Sequence, residues 1–216
     1  MYKQIAYETY KFFSDKKGNE HIASEGALRY ILKYLKRDEA RTILEIGTGI
    51  GTVCYAIRRA VHGGYLDRDL AYYGTEANEF CKKKFKENLN DQQNVIIFDS
   101  LDKVPVSLCF DFVVVDGQDP ALRTLPERLN RHGIVFIEGG RRSQINELKN
   151  LFNNITKRIF VIFSEIAFIK RPYGPFINRP YGGGAVMILE PRGSDYLYFL
   201  TRKIATKLKY RKSLIG

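Results

Sequence analysis

A chain of 216 residues with a formal charge of +11 suits one α/β domain with additions, large enough to bury about 70% of its unfolded surface. No apolar run approaches the roughly 18 residues that a bilayer span requires, the start Met1-Tyr-Lys-Gln-Ile5 does not read as a signal peptide, and Cys54, Cys81 and Cys109 form no C-x-x-C pair, so the expectation is a cytoplasmic protein with reduced thiols and no structural zinc. Residues 166–216 hold ten Lys and Arg against Glu190 and Asp195, a net +8 that leaves +3 for the first 165 residues, so the basicity belongs to the C-terminal quarter and does not mark the whole chain as a nucleic-acid binder.

The stretch to about Phe13 is aromatic and reads as a short helix, followed by the polar break from Ser14 to Asn19. Ser24 then stands as an N-cap before Leu28, Ile31, Leu32 and Leu35, whose spacing predicts a helix with one buried face. Residues 42–52, Thr-Ile-Leu-Glu-Ile-Gly-Thr-Gly-Ile-Gly-Thr, form an apolar run that breaks into three alternating glycines, predicting a buried strand, a tight turn and a helix start. Gly47, Gly49 and Gly51 allow the backbone to approach a ligand because no Cβ obstructs it. Helical periodicity resumes through Val53, Ala56, Ile57 and Val61 and ends near Gly64. Further strands are predicted at Ala71–Thr75, Asn94–Phe98, Phe110–Gly117, Gly133–Ile137, Phe160–Ile169 and Gly184–Glu190. Helices separate most of them: about Asn78 to Leu89, with the run Lys82, Lys83, Lys84 and Lys86 as a solvated basic face, Pro120 to Leu129, and one capped by Ser143 that runs to about Asn154. The last two strands have no helix between them and must be antiparallel. The expected fold is therefore α/β, a three-layer Rossmann-like sheet of seven strands, mostly parallel with an antiparallel last strand.

A dinucleotide-binding turn would have its third glycine at position 52, where Thr52 stands. Glu45 with the G-x-G-x-G spacing instead resembles motif I of the class I S-adenosylmethionine (SAM)-dependent methyltransferases, and five βα units closed by a hairpin resemble their layout. The segment His21-Ile-Ala-Ser-Glu-Gly26 is similar to one that lies near the methionine part of SAM in catechol- and caffeoyl-CoA-type O-methyltransferases, although His21 reads equally well as a solvated helix-entry residue. The resemblance covers roughly residues 20–190. It implies SAM as cofactor, with Glu45, Gly47, Gly49 and Gly51 carrying motif I, Glu76 accepting from ribose hydroxyls, and Asp99 and Ser100 beside the adenine. Glu76 could instead complement a helix dipole, and Asp99 could be a turn residue. Metal-dependent members of the family hold a divalent ion with a carboxylate after the fourth strand and an Asp-Asn pair after the fifth. Asp116 matches, but Glu138-Gly139 replaces the pair, which weighs against Mg²⁺, and no metal ligand is assigned. Asp116 and Glu138 are then the candidates for a catalytic base.

The sequence Asp116-Gly-Gln-Asp-Pro120 stands where DNA amino-methylating enzymes carry an Asn-Pro-Pro-Tyr-like motif, which disfavours them. The expected acceptor is a small molecule or saccharide-like compound, methylated at oxygen. An RNA methyltransferase using the basic C-terminal quarter, or a SAM-fold protein that binds without catalysis, are the alternatives. Between the last two strands, Arg-Pro-Tyr-Gly occurs twice within residues 170–183, and a connection at the carboxyl edge would offer Arg171 and Arg179 to an anionic group and Tyr173 and Tyr181 for stacking. A hairpin tip without a substrate role is the plain alternative. The SAM-binding domain is expected over residues 1–190, with 1–20 as an N-terminal extension, and 191–216 as a basic amphipathic tail rather than a separate domain. Ser194 reads as the tail's cap, with Leu197, Leu200, Ile204 and Leu208 at helical spacing, suited to a membrane surface, to RNA, or to packing on the domain with a solvated basic face.

Overall fold

The computed structural model describes residues 1–89, 94–168 and 181–213. Within it the apolar runs pair into one seven-stranded sheet: β1 (Thr42–Ile46), β2 (Ala71–Thr75), β3 (Val95–Phe98), β4 (Phe110–Val115), β5 (Leu129–Glu138), β6 (Phe160–Phe168) and β7 (Tyr181–Leu189). Their order across the sheet is β3-β2-β1-β4-β5-β7-β6. The pairs among β1 to β5 are parallel, while β7 runs antiparallel to both β5 and β6, so β6 points the same way as the first five. The expected sheet is therefore present. Its strand order reverses at β1, whose neighbours β2 and β4 lead the chain in opposite directions, and a crevice opens there at the carboxyl ends.

Alternation along each strand divides the core into two layers. Ile43, Phe112, Val114, Ile134, Phe136 and Val186 face α1 (Tyr2–Ser14), α2 (Glu25–Arg37), α3 (Thr52–His62) and α4 (Glu79–Asn88). Leu44, Ile46, Val113, Val115, Val135, Ile137 and Met187 face the other layer, built from the 3-10 segment Pro120–Arg128, α5 (Arg142–Asn150) and the wide turn Leu151–Ile155. Asp111, at the amino end of β4, fastens that edge by accepting from the Arg41 and Thr42 amides and from Asn130.

Several local expectations are corrected. Ser143 lies inside α5, whose cap position is Arg141, and α5 ends at Asn150. The segment after Asp119 winds as a 3-10 helix because Asp119 caps it and Pro126 interrupts any longer α-helical ladder. β5 begins at Leu129, since its first residue already pairs with Phe110 across an irregularity in register. In the lysine run, Lys82 is drawn into pairs with Glu79 and Asp99.

The final helix, α6 (Gly193–Ser213), packs on β6. Ser194 is not its cap: the Asp195 carboxylate closes the first turn by accepting from the Arg192 amide at 2.9 Å. Inside the interface, Glu165 of β6 is fully buried and accepts from the hydroxyls of Tyr34 and Tyr198, at 2.8 and 2.9 Å, and from Arg202. A buried carboxylate is tolerated only with such compensation. No helix among the described residues is long and apolar enough to cross a membrane. Replacing Glu165 with Ala leaves Arg202 and two tyrosine hydroxyls without their acceptor, and is expected to destabilise the fold by about 3–5 kcal/mol, seen in a thermal melt as a fall of roughly 10 °C in Tm.

Candidate active site

At the carboxyl edge three strand ends are stitched together. The Thr75 carbonyl accepts from the amides of Gly47 and Thr48, both at 3.0 Å, and the Ile46 carbonyl accepts from those of Asp116 and Gly117 at 2.9 and 2.7 Å. Gly47, at φ +84°, brings the chain so near the end of β4 that a Cβ there would stand 2.6 Å from the Cα of Gly117. Gly49, at φ +53°, turns beneath the His21 carbonyl, and any side chain would strike it. Above these ends lies a cavity of about 420 Å³, within the range of small-molecule sites.

Glu76 forms one wall. Its Oε2 accepts from the Gly49 amide and its Oε1 from the Asn78 amide, each at 2.8 Å, so the carboxylate ties the glycine turn to the start of α4. Asn78 in turn caps α4 through the amides of Phe80 and Cys81. Each Glu76 oxygen retains a further lone-pair direction for a ligand hydroxyl. Asp99 and Ser100 enter the same cavity from the end of β3, Asp99 paired with Lys82 and Ser100 donating to Asp102. Asp119 also lines it, and its two oxygens accept from the Leu101 and Ala121 amides, both at 2.8 Å.

Asp116, Glu138 and Arg141 form the opposite wall. The Arg141 Nη2 donates to Asp116 Oδ1 at 3.0 Å and lies 4.0 Å from Glu138 Oε2, so one guanidinium nitrogen serves both carboxyl groups. Glu138 Oε1 accepts from the Ser24 hydroxyl at 3.0 Å and the Ser24 amide at 3.3 Å, while the Ser24 Oγ accepts from the Ala27 amide as the cap of α2. Burial pushes the Asp116 carboxyl up to about 7; the negative charge of Glu138 adds to this and Arg141 opposes it. Burial also raises Glu138, against the Ser24 donors and Arg141.

Of the residues singled out in the sequence, Gly47, Gly49, Glu76, Asp99, Ser100, Asp116 and Glu138 line this one cavity, as does His21. Glu45 and Gly51 stand behind the wall. The Glu45 side chain turns beneath α3 because strand alternation sends it to that face; it is 1% exposed, accepts from the Tyr72 hydroxyl, and is held well above the usual carboxylate range by burial. Gly51 starts α3 and gives room to Phe85 and Leu89 of the neighbouring helix turn. Arg171, Tyr173 and Arg179 lie outside the described residues, and Tyr181 opens β7 opposite Phe168. Sequence reasoning missed Arg141, Asn78 and Asp119. Arg141 had a signal: it follows Glu138 by three residues, past a strand end where two acids converge and a cation is needed. Among the described residues no group of three or more His, Cys, Asp or Glu is arranged to hold a metal ion.

No protein-family model matches the sequence, and no curated protein matches it. Solved structures match its fold. An O-methyltransferase from Bacillus cereus in complex with S-adenosylhomocysteine (SAH) superposes with a TM-score of 0.59 at 15% identity, covering 86% of this chain and 90% of that one. A putative O-methyltransferase from Klebsiella pneumoniae gives 0.58 at 15% identity, over 88% and 90%. An O-methyltransferase of tomaymycin synthesis from Streptomyces achromogenes, in complex with SAM, gives 0.54 at 15% identity, over 88% and 89%. Across nearly its whole length, the chain has the fold of the class I methyltransferases.

Proposed function

We propose that the protein transfers a methyl group from SAM to an oxygen of a small-molecule or saccharide-like acceptor, with Asp116 as general base. The observation that carries this is the pairing, across one cavity, of a ribose-type carboxylate, Glu76, with a buried carboxyl pair, Asp116 and Glu138. The cradle fits the cofactor. A Cβ at Gly47 or Gly49 would collide with its surroundings, and the acceptors on offer suit the donors of an adenosine: Glu76 for ribose hydroxyls, and Asp99 and Ser100 for the exocyclic amine. Bound there, SAM supplies a methyl group already activated on a sulfonium. The protein's part is to place the acceptor and remove its proton.

With its carboxyl raised to about 7, Asp116 is half ionised near neutrality, where a base both accepts a proton readily and is available to do so. Arg141 fixes its direction by donating to both its carbonyl and its carboxyl oxygen. Glu138, oriented by Ser24, keeps a second negative charge nearby that maintains the raised value. Arg141 already balances this pair, whereas Mg²⁺ would ask for several oxygen ligands in near-octahedral order; full turnover in excess chelator is the expected result. The connection from β6 to β7 starts and ends at the carboxyl edge, and Arg171, Tyr173, Arg179 and Tyr181 are proposed to select the acceptor from it.

Isotopically labelled SAM incubated with a metabolite extract should give a labelled product, and SAM that binds without transfer to any acceptor pool would favour a purely binding role. By calorimetry, Glu76→Ala should weaken SAM binding by about 1.5–3 kcal/mol through lost charge-assisted hydrogen bonds; unchanged affinity would remove Glu76 from the site. Asp116→Asn should retain SAM affinity and lose kcat, and in the parent enzyme kcat/KM should rise with pH to a plateau above about 7. The same replacement has a signed effect on stability. Native Asp116 holds its proton to a higher pH than the usual value near 3.9, so parent stability falls as pH rises from about 4 to 7. Asp116→Asn should therefore gain on the parent over that window in denaturant titrations. Arg171→Ala with Arg179→Ala should raise KM for the acceptor while SAM affinity and Tm stay at parental values.

A further inference from the structure

The described part of α6 has two unlike faces. Inward, Tyr198 and Phe199 meet Phe163 with ring centroids 5.9 and 5.8 Å apart, and Arg202 is spent on Glu165. Outward, Leu197, Leu200 and Ile204 are 66%, 53% and 62% exposed, with Tyr196 beside them at 43%. Single exposed aliphatic residues are ordinary on a protein surface, but three at i, i+3 and i+7 form a continuous stripe along one side of a helix. On a helix that merely covers its own domain, that side would be polar. The same helix carries Lys203, Lys207, Lys209, Arg211 and Lys212, and no acidic residue follows Asp195.

We propose that α6 docks the protein on an anionic lipid bilayer, lying along the surface with Leu197, Leu200 and Ile204 in the acyl boundary and the basic residues among the headgroups. Charge and apolarity together choose this occupant. A second copy pairing through α6 would press two helices against each other, each with its acids confined to the first turn and the rest basic. A nucleic acid would satisfy the lysines and leave the aliphatic stripe in water. Only a surface that is negative outside and hydrocarbon beneath meets both demands. The helix also runs in the direction of β6, from Asp195 beside Arg37 to Arg202 at Glu165, so its basic half advances toward the carboxyl edge where the cavity opens. The proposal rests on α6 alone and stands apart from the chemistry assigned to the cavity.

Co-sedimentation of the full chain with vesicles at physiological salt tests it. Phosphatidylcholine vesicles containing phosphatidylserine should pull the protein down, and phosphatidylcholine alone should retain little. The variant Leu197→Ser, Leu200→Ser, Ile204→Ser changes exposed side chains only and should keep the parental Tm, yet its partition onto anionic vesicles should fall on the order of 100-fold. Failure of the parent protein to sediment with anionic vesicles would overturn the proposal. So would equal binding by the triple variant, which would reduce the contact to charge, or a dimer in light scattering that the triple variant abolishes, which would make the stripe a contact between copies.

Discussion

Two carbonyl oxygens, those of Thr75 and Ile46, fix the centre of the crevice, because each accepts two backbone amides at once from a crossing loop. This arrangement joins the end of β2 to the turn after β1, and the end of β1 to the turn after β4. It works only where the crossing chains have no side chains to separate them, and Gly47 against Gly117 is that place. Once the three ends are locked, the next residues along the chain have little choice. Glu76 follows Thr75 and meets the Gly49 amide; Asp116 follows Val115 and meets Arg141. Side chains launched from such paired strand ends are held far more closely than loop residues would be, which is what a site that must align two reactants requires.

The electrostatics of the cavity run against those of the chain. The protein carries a formal +11, yet among the described residues Glu20, Glu76, Asp99, Asp116, Asp119 and Glu138 line the cavity with Arg141 as the single Lys or Arg. Behind the wall Glu45 adds another buried carboxyl, itself raised by the charges of Asp116 and Glu76 after burial. A concave, acid-lined site in a low-dielectric setting favours a positively charged ligand over a neutral or anionic one. A sulfonium answers that preference where a dinucleotide, with its pyrophosphate, does not. The raised carboxyl of Asp116 belongs to the same balance, since crowding acids around a buried group is one of the few ways to move a carboxyl toward neutrality.

Much of this was legible in the sequence, for identifiable reasons. Buried parallel strands are nearly uniform in apolarity, so β1 and β4 announced themselves, and the acids Glu76, Asp99, Asp116 and Glu138 stand out because each ends such a run. Adjacency in the chain thus became adjacency at an edge. What could not be read was pairing across long separations. Ser24 was visible as a cap, but its second bond, to Glu138 across 114 positions, is a tertiary fact. Glu45 shows the same limit from the other side: it shares a motif with Gly47 and Gly49, yet the alternation of strand residues sends its side chain under α3 to Tyr72. Caps failed for a related reason. Ser143 and Ser194 have the right chemistry at a helix start, yet each helix begins one residue earlier, α5 at Arg142 and α6 at Gly193, and in α6 it is the Asp195 carboxylate, one residue further on, that accepts the Arg192 amide.

In the tail helix, too, a tertiary demand overrides the local pattern. Leu197, Leu200, Ile204 and Leu208 repeat at helical spacing, and periodicity alone assigns such a stripe to the core. The structure places Leu197, Leu200 and Ile204 outward instead. The cause is Glu165, a fully buried carboxylate on the edge strand that needs donors from whatever helix covers it. Tyr198 and Arg202 supply them, and they lie on the opposite side of α6 from the leucines. An uncompensated charge in the interior costs more than three exposed aliphatic side chains, so the side that carries the donors Tyr198 and Arg202, with Phe199 beside them, turns inward and the aliphatic stripe is left facing solvent. A helix oriented by a buried acid therefore ends with its greasy face available, and that availability, rather than the charge of the tail, is what distinguishes α6 from an ordinary solvated basic helix.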